Sequence, residues 1–420
     1  MILLFSVLII LLILNIFYRR KLFLFSPLDF FVIYFVVVIL MTTIYHYYCP
    51  TYLKFNFFEF DLISNKRFKK TMLVFLKMMF FFLVGVFLYY NQSKESRKIS
   101  RNSISLFSDR KYPFNFKAIQ IATILLLSFS VALVFMDYGF EIFRRSKYIP
   151  KDSSYLKTIY QNLFLVVSIL SGVLYKKNKT TSLLSLLISL ILALSIGSRY
   201  ATLYLLSFGT AYAFLCSKNT RKKYLLVFIP FLFFFFGYNV SLRSEASGHG
   251  LLPYLSVTME KPSIIYKYSF KNLYYTFVFG FFATADTLAV YKNATIENLI
   301  TCLSPLPGSM TRWYMIAKNF RSNLYAPFTS IGELGRFPNF NIVYYTFLGF
   351  YFAFIDTFIK KQILQKKYLL AIIQFLFLVL FIILSFEYNL RSSNRFIYYS
   401  IFLYVACVFF SKLKFTLQKK

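Results

Sequence analysis

Residues 368–387 read Y-L-L-A-I-I-Q-F-L-F-L-V-L-F-I-I-L-S-F-E, twenty positions with one carboxylate at the very end. At about 1.5 Å per residue such a run covers about 30 Å as a helix, the thickness of a bilayer's hydrocarbon core. Ten further runs of this kind lie near 1–18, 28–49, 71–90, 118–136, 157–175, 181–197, 200–216, 224–240, 341–359 and 396–413. The chain therefore reads as all-α: a polytopic transmembrane helical bundle of about eleven spans. A weaker stretch, 273–290, carries Thr276, Gly280, Thr284, Asp286 and Thr287. The first run has no basic leader and no small-residue cleavage site, so it reads as a retained helix.

Composition supports the same solvent. Of 420 residues, 58% are hydrophobic and only 15% charged, against about 45–50% and about 25% in soluble domains. The excess of 48 basic over 15 acidic residues would suggest nucleic acid in a soluble chain. Here the cations sit in short clusters between apolar runs, as membrane proteins anchor their loops, and no nucleic-acid partner is expected. Cys49, Cys216, Cys302 and Cys407 lack CxxC or CxH spacing, and His46 and His249 are the two histidines. Neither a disulfide framework, a zinc site nor a His-rich metal centre follows, and the expected metal and cofactor content is none.

Arg19, Arg20 and Lys21 follow the first run and mark its end as cytoplasmic, with the N-terminus outside. Alternation then places inside the 91–117 loop, Lys176–Lys179, Lys218–Lys223, Lys360–Lys367 and the tail from Lys412 to Lys420. The last two clusters face inside only if 273–290 does not cross, so that stretch is expected to be a re-entrant or interfacial helix. Three segments follow: 1–240, a bundle of eight spans; 241–340, a large external segment; and 341–420, three spans and a cytoplasmic tail. Ten of the sixteen arginines fall outside: Arg67, Arg144, Arg145, Arg199, Arg243, Arg312, Arg321, Arg336, Arg391 and Arg395. A planar guanidinium holds phosphate bidentately, which gives outward arginines a chemical use.

Chemistry is expected in the external segment and its flanks. S-L-R-S-E (Arg243, Glu245) and His249 open it, S-P-L-P-G-S-M-T-R-W-Y carries Arg312 and Trp313, and Arg321, Glu333 and Arg336 close it. Proline and glycine at 305–308 force a turn. The single tryptophan, beside a cation, suits a sugar ring or the lipid interface. G-S-R at 197–199 puts Arg199 between two apolar runs, where a cation is costly unless it faces a cavity. E-Y-N-L-R-S-S-N-R at 387–395 reads as a short outer turn with Arg391 and Arg395. Asp29 and Asp356, near inner ends of spans, are expected to pair with nearby basic residues. No Walker A, GxGxxG, HExxH, DxD or GxSxG pattern is present.

Three places resemble the O-antigen or oligosaccharide repeat-unit polymerases (Wzy-type): Gly197-Ser198-Arg199 after a long apolar helix, the large outer segment late in the chain, and P-F-T-S-I-G-E-L (Pro327–Leu334) before a Phe/Tyr-rich span. Gly335-Arg336-Phe337-Pro338-Asn339-Phe340 departs from the family's usual continuation. The resemblance implies a GT-C-like glycan polymerase at the bacterial inner (cytoplasmic) membrane. Its substrates would be oligosaccharides on undecaprenyl pyrophosphate, with a chain-length regulator and a flippase as further partners. It also implies metal-independent glycosyl transfer with a pyrophosphate leaving group. Arg199, Arg243, Arg312, Arg321, Arg336, Arg391, Arg395 and Trp313 would then bind pyrophosphate or glycan. Glu333, Glu245 or His249 would activate the acceptor as the catalytic base. An O-antigen ligase-like transferase, a lipid-linked oligosaccharide flippase and an inert scaffold are the alternatives. No two-half internal repeat supports the flippase.

Overall fold

The computed structural model describes residues 1–19, 25–48, 63–92, 98–99, 114–146, 156–198, 200–216, 218–267, 274–289, 295–306, 308, 310–321 and 328–418. Its helices are α1 (Ile2–Arg19), α2 (Pro27–Tyr48), α3 (Asn65–Gln92), α4 (Phe116–Tyr138), α5 (Leu156–Leu174), α6 (Lys179–Ser195), α7 (Tyr200–Leu215), α8 (Lys218–Glu245), α9 (Leu251–Glu260), α10 (Ile264–Lys267), α11 (Phe279–Ala289), α12 (Ile296–Leu303), α13 (Trp313–Ile316), α14 (Ser330–Gly335), α15 (Pro338–Leu364), α16 (Tyr368–Glu387) and α17 (Leu390–Gln418). Among the described residues there is no strand, only a two-residue backbone bridge between Arg145 and His249.

The chain is an all-α protein with several helices fit to cross a membrane. α2, α3, α4, α15 and α16 are long and apolar enough by themselves, and α1, α5, α6, α7 and α8 carry shorter apolar stretches. Lipid offers the backbone no hydrogen bonds, so helices that satisfy their own N–H and C=O groups are the economical way to bury it. Local signals set the ends. Asn115 and Asn178 accept from the N–H groups of Ala118 and Thr181, and Pro338 opens α15 where its missing N–H costs nothing.

Several ends differ from the sequence reading. Asn389 accepts from the Ser392 N–H at 2.9 Å and starts α17 at Leu390, so Arg391 and Arg395 are helical instead of lying in a turn. Arg243 and Glu245 close α8 instead of opening a loop. Lys66, Arg67, Lys69 and Lys70 belong to the first turns of α3.

Packing divides the chain into two compact units, residues Met1–Ile104 with Tyr275–Lys420, and Ser105–Tyr274. In the first, α3 and α15 meet backbone to backbone. A Cβ on Gly85 would stand 1.9 Å from the Thr346 carbonyl oxygen, and one on Gly349 only 1.8 Å from that of Phe82. Small residues at a helix crossing allow this approach, which matters in lipid because packing replaces the hydrophobic effect between helices. Rings close around the crossing: Phe82 lies 4.2 Å from Phe31 and 5.4 Å from Phe352, and Phe75 lies 5.0 Å from Phe281. At one end of this unit Lys360 pairs with Asp356 at 2.9 Å, both buried, and Tyr90 donates to the same carboxylate oxygen. The other end gathers the end of α2, the start of α3, α11, α12, α14 and the α16–α17 turn. There His46 meets Asn65 at 2.9 Å, Arg67 pairs with Asp286 at 2.9 Å, and Ser330 N–H donates to Tyr388 O at 2.8 Å.

The second unit packs α5 against α4, α6 and α7. Gly172 of α5 brings its backbone against the Phe208 carbonyl of α7. Arg145, 7% exposed, donates to the carbonyls of Ser195 at 3.0 Å and Ile196 at 2.9 Å, capping the negative end of α6.

Candidate functional site

The chemistry-bearing end of the first unit is built on α11. Thr284 and Thr287, polar interruptions in an otherwise apolar stretch, turn out to be anchors. Thr284 Oγ1 meets Thr329 Oγ1 at 2.6 Å, and Thr329 N–H donates to Thr287 Oγ1 at 3.3 Å. Thr329 then accepts from the Gly332 N–H at 3.1 Å and starts α14. Gly332 is required there, because a Cβ would lie 2.6 Å from that of Thr287. Arg336, just after α14, donates through Nε to Thr287 O at 2.8 Å and through Nη2 to the same oxygen, with its guanidinium 4.6 Å from the centre of the Phe328 ring.

This frame presents Glu333. Its side chain is 5% exposed, and Oε1 has no hydrogen-bond partner. Burial raises the carboxyl from the ordinary range to about 8, although the Leu390 N–H, the Cys302 thiol and the Arg336 charge all favour its ionised form. The carboxyl lines a small cleft of about 10 Å³, room for about one water and partly open to solvent, with Thr295, Asn298, Leu299, Cys302, Phe320, Arg336 and Phe337. Burial also raises the Cys302 thiol, so it stays protonated. The arrangement can hold a proton at Glu333 or accept one from a group entering the cleft.

Arg391, 2% exposed, lies beside this cleft on α17. Its Nη1 donates to Thr301 O at 2.6 Å and its Nη2 to Leu306 O at 2.5 Å, and its guanidinium sits 5.3 Å from the Trp313 ring. Trp313 also packs on Phe320, at 5.4 Å between ring centres. Arg312, Arg321 and Arg395 are exposed on the same unit, Arg312 in the left-handed region at φ 54°. Glu333, Arg336, Arg391 and Trp313 are thus brought to one end of one unit.

The remaining expected site residues belong to the second unit. Arg199 lies outside the described residues, as does the side chain of Arg243. The turn before Arg199 is well tied: Gln161 donates to Ser198 Oγ at 3.2 Å, Asn239 to Ser198 O at 3.1 Å, and Tyr204 to Gln161 O at 3.0 Å. Glu245 is half-buried. His249 stands between Gly248 and Gly250 and is nonetheless fixed. Its backbone exchanges hydrogen bonds of 2.8 and 2.9 Å with Arg145, and its Nδ1 meets Tyr254 Oη at 2.9 Å.

Cys302, Asn298 and Thr295 were not singled out in the sequence. Their spacing of four and three residues puts them on one face of a short helix, the only signal that could have marked them. Among the described residues no three His, Cys, Asp or Glu side chains cluster as metal ligands, and Cys216, Cys302 and Cys407 are free thiols. No protein-family model, curated protein or solved structure matches the chain.

Proposed function

We propose that the chain is a membrane glycosyltransferase that polymerises lipid-linked oligosaccharide repeat units, with Glu333 as the base for the acceptor hydroxyl. The observation that carries this reading is the buried Glu333 carboxyl, its Oε1 without a partner, on a small cleft beside Arg336. The acceptor oxygen attacks the anomeric carbon of the donor sugar and its proton passes to Glu333. The bond from that carbon to the pyrophosphate oxygen breaks, and the pyrophosphate leaves with the electron pair. A base of raised pKa is suited to a hydroxyl near neutral pH. Developing charge on the diphosphate calls for preorganised cations, for which the exposed Arg312, Arg321 and Arg395 are placed on the same unit. The donor bond supplies the energy. The substrate is an undecaprenyl-pyrophosphate-linked oligosaccharide, and the site faces the outside of a bacterial inner membrane.

Cells lacking the chain should display single repeat units without long chains. Glu333→Gln at normal membrane level should fail to restore the ladder, whereas loss of all surface display would mark a flippase or a ligase.

The same reading takes the chain as eleven spans, N-terminus outside and C-terminus cytoplasmic. Each of the eleven apolar runs lies in a helix of at least 16 residues. Within 273–290 the helical positions 274–277 and α11 are broken at Val278, and all 16 described positions would rise about 24 Å at most, short of a hydrocarbon core of about 30 Å. Reporter fusions after Asn219 and after Lys367 should both read cytoplasmic. A periplasmic signal after Lys367 would carry 273–290 across the bilayer and remove the proposed outer site.

A further inference from the structure

One face of α17 captures three carbonyls at and just beyond the end of α12. Arg391 takes Thr301 O at 2.6 Å and Leu306 O at 2.5 Å, and Tyr398, two turns further along, donates to Leu303 O. These carbonyls bracket Cys302, which lines the same cleft as Glu333. The last carbonyls of a helix have no partner within it and carry its negative end, so a buried cation there is well placed. Trp313 closes the arrangement by packing beside the guanidinium and against Phe320, a wall of the cleft. Each terminal nitrogen of the Arg391 fork thus gives one hydrogen bond to main chain, while Nε has no partner. At 2% exposure the guanidinium is closed to an anion the size of pyrophosphate unless α12 moves away.

We propose that Arg391 is a positioning residue, which latches α12 over the Glu333 carboxyl, and is not a ligand for the substrate's anion. The role rests on Glu333 acting as the base, but its structural consequence is measurable without turnover. Lysine could not reproduce it, since one ammonium cannot hold Thr301 O and Leu306 O with the geometry of a planar fork.

The test uses the full chain in lipid nanodiscs, with Cys49, Cys216 and Cys407 changed to serine so that Cys302 alone reacts with maleimide. Trp313, the single tryptophan, reports its surroundings by its emission. Arg391→Ala should speed Cys302 labelling by about tenfold or more, the factor lost with one charged hydrogen bond. It should also shift the Trp313 emission to the red and lower the pH at which a hydrophobic carbodiimide stops modifying Glu333. Arg391→Lys should be intermediate. Tyr398→Phe, which removes a single donor, should give a smaller increase and covers the case in which Arg391→Ala does not fold. Unchanged labelling in Arg391→Lys and Tyr398→Phe would overturn the latch. So would inorganic pyrophosphate that shifts the Trp313 emission in the parent and not in Arg391→Lys, since Arg391 would then be a ligand. The two readings fail separately. Faster labelling together with a normal glycan ladder from Glu333→Gln would keep the latch and remove the base. Unchanged labelling with a lost ladder would do the reverse.

Discussion

Gly349→Ala is expected to lose about 3 kcal/mol of stability, at the upper end of what overpacking costs, and Gly349→Leu to yield no folded first unit. The added Cβ would stand 1.8 Å from the Phe82 carbonyl oxygen and 2.7 Å from its carbon. Both are backbone atoms in the middle of α3, so no side chain can swing aside. α3 and α15 must separate, and the opposed Gly85 contact, 1.9 Å from a Cβ to Thr346 O, opens with it. The rings of Phe31, Phe82 and Phe352 then lose their fit, and the hydrogen bond from Tyr90 to Asp356 is pulled apart across the same two helices. Gly248→Ala is the control. Its nearest neighbour would be at an ordinary 3.4 Å, and its change should stay within about 0.5 kcal/mol. Thermal unfolding of the purified chain in one detergent checks both. A Gly349→Ala melting curve superposed on that of the parent would mean that the two helices do not touch as described.

That crossing was not legible in the sequence, and the reason is physical. In a soluble helix the apolar stripe marks the core. In lipid both faces are apolar, so the stripe disappears. α2 is the case in point. Phe31, Tyr34, Phe35, Val38, Thr42 and His46 are buried, while Ile33, Val36, Leu40 and Ile44 are exposed, so the outward set is the more apolar, the reverse of a soluble helix. Apolar runs therefore revealed where helices are and not which way they face. Their ends were misplaced where charged residues continue a helix, as at Arg67, Arg243 and Arg391. The site was half legible. Glu333 and Arg336 drew attention through a short motif, and Arg391 and Trp313 through cations and an aromatic in unusual places. The join between them was not. Cys302 and Glu333 are 31 positions apart, and Arg391 reaches back 90 residues to Thr301 O. Such pairings follow from how α12, α14 and α17 pack, which no local spacing encodes.

Glu333 should make the stability of the chain depend on pH in a direction opposite to that of a salt-bridged carboxylate. Its carboxyl, raised by burial to about 8 against an ordinary 4.5, is neutral in the folded state where the unfolded chain is already ionised. Below about pH 4.5 both states are protonated and the buried neutral acid costs nothing further. As pH rises the unfolded state is favoured by about 1.4 kcal/mol per unit, and the loss is complete once pH passes about 8. Glu333→Gln has no proton to lose, so its advantage over the parent should grow across that window to at most about 5 kcal/mol. Turnover should show the reverse preference. A base works only when ionised, so the parent's rate should climb tenfold per pH unit toward a plateau near 8. Glu333→Gln should be slower by about a hundredfold or more, with a flat profile. Other groups also titrate between pH 5 and 9, so the diagnostic quantity is the difference between the two proteins. Chemical denaturation of both in the same detergent at half-unit steps measures it. Parallel curves from pH 5 to 9 would mean an ordinary, hydrated carboxyl, and neither the buried site nor the tuned base would survive that result.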